Sequence, residues 1–98
     1  MNLAMFRATL DGREPPPGLG LALQALWWDA KGDWDRAHAC AQDDHSPDGA
    51  HVHAYLHRKA GDLANARHWY RRAGGEPATG LVDAESVLLI RDLLCDQT

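Results

Sequence analysis

Cysteine is scarce in this 98-residue chain, and the two present, Cys40 and Cys95, show no CxxC spacing. That excludes a disulfide framework. Both thiols are expected to be partly buried in a reducing, cytoplasmic setting. A basic surplus is also missing. Ten Lys and Arg stand against 14 Asp and Glu, for a formal net charge of −4, which argues against a nucleic-acid partner. With no run of five like charges, a charged tail is not expected. No stretch reaches the ~18 to 20 continuous apolar residues of a membrane span. Met1 to Leu10, interrupted by Arg7, lacks the apolar core of a signal peptide. No segment alternates strictly with β-branched enrichment, so no sheet is expected. GxSxG, a Walker loop and GxGxxG are all absent, and Gly18-Leu19-Gly20 follows no strand. No nucleophile or phosphate loop can therefore be assigned, and neither catalytic activity nor a cofactor is expected.

What is present is helical periodicity cut by clean stops. Leu3, Phe6 and Leu10 would share one helical face, and Arg13 to Gly18, with three prolines, cannot continue a helix. Residues 1–18 thus read as an N-terminal segment with a stiff Pro-rich lead-in, and residues 19–98 as the helical domain. Leu19, Leu23, Leu26, Trp27 and Ala30 form the stripe of a first helix, ended by Gly32. Asp33 suits the N-cap of a second, from Trp34 to about Gln42, with Trp34, Ala37 and Ala41 inward. Ser46-Pro47 opens a third helix, reaching about Ala60, with Gly49 weakening its start. Gly61-Asp62 makes a second corner into a fourth, Leu63 to about Ala73, with Leu63, Ala66, Trp69, Tyr70 and Ala73 inward. Leu81 to about Cys95 reads as a last helix.

The two corners repeat. Gly32, Asp33 and Ala37 recur as Gly61, Asp62 and Ala66 at one offset of 29 residues, the mark of two copies of one helix-turn-helix unit. The alanine lets the paired helices approach closely. On these residues, with Ala25 and Trp28 in the first copy and Tyr70, Ala73 and Pro77 in the second, the stretch Leu19 to Pro77 resembles the tetratricopeptide repeat family. It departs from that family in its short period, against a usual ~34, in Gln24 and His53 where leucine is preferred, and in Ala41 where a large apolar residue is preferred. The resemblance implies an all-α antiparallel array of two hairpins, with the C-terminal helix as a cap. It also implies a protein-interaction or scaffolding module whose groove is lined by the first helix of each pair. Those positions here are Leu26, Asp29 and Ala30, then His51, Tyr55, Arg58 and Lys59, facing a protein or peptide partner. A homodimer covering tryptophan surface is a further possibility.

A second chemistry is written on the third helix. His53 and His57 are four apart, so their rings can face one site. They either border the core, bonded to backbone or carboxylate, or supply two ligands to a transition metal with His38 or Cys40 as a third, which would make the chain a small helical metal-binding protein or enzyme. His51 points away from that edge, and no HExxH is present. The four tryptophans are expected to pack between helix pairs, the alternative being an aromatic ligand cage. Arg58, Lys59, Arg67, His68, Arg71 and Arg72 read as a solvated face whose stems cover apolar surface.

Overall fold

The computed structural model of the protein describes residues 1–96 and is helical throughout, with no strand among those residues. The expected domain 19–98 therefore runs, at Gln97 and Thr98, outside the described residues. The helices are α1 (Leu3–Ala8), α2 (Leu21–Ala30), α3 (Trp34–Asp43), α4 (Pro47–Lys59), α5 (Leu63–Arg72) and α6 (Val82–Asp96), with a 3-10 turn at Thr9–Asp11. None of them is long and apolar enough to cross a membrane.

The two Gly-Asp corners close in the same way. Gly32 and Gly61 take φ of 83° and 85°, the left-handed region where a side chain would be strained. The amide of Gly32 donates to the Asp29 carbonyl and that of Asp33 to the Trp28 carbonyl; Gly61 and Asp62 donate equivalently to Arg58 and His57. These bonds satisfy the last carbonyls of the preceding helix. Each aspartate then caps the next helix, Asp33 accepting from the Arg36 amide at 3.1 Å and Asp62 from the Asn65 amide at 3.3 Å. Ala37 and Ala66, both buried, keep each pair in close contact. The hairpins α2–α3 and α4–α5 are joined across α3 and α4.

The start of α4 differs from expectation in an instructive way. Ser46 and Pro47 cap it as read, the Ser46 Oγ accepting from the Gly49 amide. Gly49 is no weakness, however. A Cβ there would collide with the carbonyl and side chain of Asp44, so the tight α3–α4 connection requires glycine.

The core gathers Phe6, Leu23, Leu26, Trp27, Val52, Tyr55 and Leu56 with Leu89, Ile90, Leu93 and Leu94 of α6. Each such side chain stabilises the fold by about 1.5–3 kcal/mol. The N-terminal segment belongs to this core, because Phe6 of α1 is fully buried in it. Trp27 Nε1 donates to Thr9 Oγ1 at 3.0 Å, and Lys31 Nζ reaches the carbonyls of Leu10 and Gly12.

Several boundaries and orientations are corrected. α2 begins at Leu21, with Gly20 as its extended N-cap, while Leu19 still packs into the core. Leu63, expected inward, is 59% exposed and belongs to neither buried cluster. Cys40 is half-buried as expected, but Cys95 is exposed. α6 is more than an end cap: it packs against both α2 and α4.

Candidate functional site

The groove implied by the repeat resemblance is filled from within. Leu26 and Tyr55 are each 1% exposed, packed in one cluster with Leu89, Ile90, Leu93 and Leu94. The expected apolar contact surface is therefore occupied by α6. The polar groove positions are engaged as well. Asp29 Oδ2 accepts from Tyr55 Oη at 2.6 Å, and Asp29 Oδ1 from Lys59 Nζ at 2.7 Å. Glu85 of α6 accepts from Arg58 Nη1 at 2.9 Å and from Tyr70 Oη at 2.6 Å, with His51 Nε2 at 3.5 Å. A second Arg58 nitrogen donates to the Gly80 carbonyl. His51 is half-buried beside Glu85, and of the seven positions Ala30 and Lys59 are exposed, Lys59 while holding Asp29.

The electrostatics follow from this geometry. Burial pushes the Glu85 carboxyl up, but hydrogen bonds from His51, Tyr70 and Arg58 outweigh it and leave the group below its ordinary value. Burial, then the neighbouring carboxylates, raises both Tyr55 and Tyr70. Every charge in this cluster has a partner. The expected basic face is accordingly divided: Arg58 and Lys59 hold carboxylates, and Arg72 lies over the Trp69 ring at 5.6 Å.

Another face of α4 carries a different cluster. Its helical register brings His53 and His57 to the α3 side, and α3 delivers His38 between them. One donor atom from each of the three rings lies within 4.8 Å of the other two. Ring centroids are 4.6 Å apart for His38–His53, 5.2 Å for His38–His57 and 4.9 Å for His53–His57. Cys40, the alternative third ligand, is not in this group. Two residues beyond His38 on a helix, it faces about 200° away and packs on the core.

Two tryptophans wall the cluster. Trp34 stacks on His38, one turn along α3, at 4.9 Å with planes 10° apart. It is fixed by donating Nε1 to the Leu56 carbonyl at 2.9 Å. Trp69 of α5 stacks on His53 at 3.9 Å with planes 14° apart. The tryptophans are half-buried, His38 likewise, while His53 is 3% exposed.

His53 Nδ1 is the one buried side-chain nitrogen or oxygen without a hydrogen-bond partner among the described residues. Leaving such an atom unpaired costs about 1–3 kcal/mol. Burial, and then the neighbouring His38 and His57, lower its pKa to about 4. Burial and His38 also lower His57, while Asp62 opposes the shift. These two imidazoles therefore stand neutral at pH 7, as a metal ligand must. Two nitrogens on one tetrahedral zinc lie about 3.4 Å apart, so modest ring rotations would bring the three donors onto one ion.

Sequence reasoning found the His53–His57 pair and named His38 as a partner. It did not find the stacking of Trp69 on His53, which has no local signal, although the i, i+4 spacing of Trp34 and His38 was visible. Comparisons of the chain with protein-family models, with curated proteins and with solved structures find no match.

Proposed function

We propose that this chain is a small helical metal-binding protein whose ion is held by His38, His53 and His57. The observation that carries the reading is the orphaned, buried Nδ1 of His53, on one of three imidazoles that each bring a ring nitrogen within 4.8 Å of the others. A structural histidine cluster would close its hydrogen bonds, whereas a ligand cluster leaves lone pairs for an ion. Nitrogen donors without thiolate or carboxylate suit zinc, copper or nickel rather than calcium or magnesium. The interaction reading, by contrast, needs either a displaced α6 or a face other than the one the repeat resemblance implies.

Calorimetric titration of untagged, metal-free protein with Zn²⁺ tests the proposal. One equivalent is expected to bind, raising the melting temperature as well. His57→Ala should weaken binding by about tenfold or more, with the far-ultraviolet spectrum unchanged. Failure of Zn²⁺, Cu²⁺ and Ni²⁺ alike to bind at one equivalent would remove the metal reading.

A further inference from the structure

We infer that an ion held by His38, His53 and His57 keeps one coordination position open to a small anion from solvent, making this an anion-receptive centre rather than a closed structural one. The inference rests on the metal reading above and adds what the bound ion would itself bind. Three observations carry it.

The first is donor count. Among the described residues the group of ligand-type side chains comprises three imidazoles and no thiolate or carboxylate. Closed zinc sites have four protein ligands, and sites that react or bind exogenous groups have three. The carboxylate that acts on His57, Asp62, is already employed as the N-cap of α5.

The second is charge. Three neutral imidazoles leave the full +2 of a divalent ion uncompensated. A bound cation is then the largest local charge in a half-buried setting, where its pull on an anion exceeds that in water. On the α5 side the flanking groups are His68, edge-on to Trp69, and Arg72 over the same ring; the one anion there that acts on a ligand, Asp62 beside His57, offsets at most half of the ion's charge and is engaged as the α5 N-cap.

The third is access. His53 and His57 are rooted in the interior, while His38 sits half-exposed at the rim. The unfilled position is therefore on the solvent side, past His38. Trp34 and Trp69, stacked on two of the three ligands, wall that approach. The ring faces restrict the visitor to something small: hydroxide, azide, thiocyanate or a short carboxylate.

Cobalt(II) distinguishes this inference from the reading beneath it. The full metal-free chain is titrated with Co²⁺ alone and its visible ligand-field bands are recorded, and sodium azide is then added stepwise. A one-equivalent Co²⁺ spectrum that shifts saturably with azide supports the open position. The same spectrum, indifferent to azide and to thiocyanate, overturns the open position while the metal site stands. No ligand-field spectrum at one equivalent overturns both. His38→Ala, at the half-exposed rim, is the control for surface histidines and for folding. It should weaken Co²⁺ binding by about tenfold or more and abolish the saturable azide shift. An azide shift that survives in His38→Ala would place the ion elsewhere and sink the inference.

Discussion

α4 carries two buried polar clusters on different faces, and they are built on opposite terms. Toward α2 and α6 lie Asp29 and Glu85, each carboxylate held by two direct donors. Toward α3 and α5 lie three imidazoles with a lone pair left over. The first cluster is complete within the chain, because every member has its counterpart. The second is incomplete within the chain, which is the condition of a group waiting for something from outside. Buried polar networks rigidify a fold only when all members are satisfied. The carboxylate cluster therefore belongs to stability, and the proposed metal reading gives the imidazole cluster to binding.

The largest effect expected to sharpen this contrast comes from Glu85→Ala. It leaves Arg58 and Tyr70 facing a void and should destabilise the fold by about 3 kcal/mol, since one-sided removal of a buried partner is costly. Urea denaturation measures it. Glu85→Gln, which keeps an acceptor, should cost distinctly less. Equal losses for the two variants would deny the carboxylate its charge-based role.

Acid separates the clusters next. The folded pKa of His53, about 4, lies below its ordinary 6.5, so the unfolded chain takes up the proton first. Its contribution is full above pH 6.5 and is lost as pH falls from there toward 4. The loss is up to about 3 kcal/mol for the metal-free protein. Glu85 is also lowered, from 4.5, so its contribution persists above 4.5 and fades only below, as pH passes through the folded value. Denaturation midpoints taken from pH 7.5 to 3.5 should fall in two stages. His53→Leu should shrink the upper stage alone, leaving the part that His57, also lowered, contributes.

The smallest effect runs the other way. In metal-free protein at pH 7.5, His53→Leu removes an unpaired buried nitrogen and should stabilise by about 1 kcal/mol, while ending metal binding. A site that stabilises when emptied of its polar atom is a site retained for a ligand. Marked destabilisation by His53→Leu would instead make the stacking on Trp69 the reason for the histidine.

Legibility in the sequence divided along the same line. Both corners were readable because glycine, aspartate and alanine act locally, within a few residues of the turn they make. The His53–His57 pair was readable for the same reason, four residues being one helical turn. Glu85 gave no sign. It lay among the apolar rows of a helix taken for a cap, and its partners Arg58 and Tyr70 are 27 and 15 residues away. The burial of the groove positions Leu26 and Tyr55 against that same helix was equally illegible, since nothing in α2 or α4 says that a later helix will lie on them. Leu63 was placed inward by periodicity alone, which cannot tell whether a neighbour covers that turn. Gly49 was read by propensity, whereas the close approach of Asp44 decides it.

His38 belongs to the first hairpin, and His53 and His57 to the second. Repeat arrays gain stability from each unit and from the seam between neighbours. A cation at this spot would act on the seam alone, leaving each hairpin's own closure at Gly32 and Gly61 untouched. Metal supply would thereby tighten a seam that the shared core and α6 already hold.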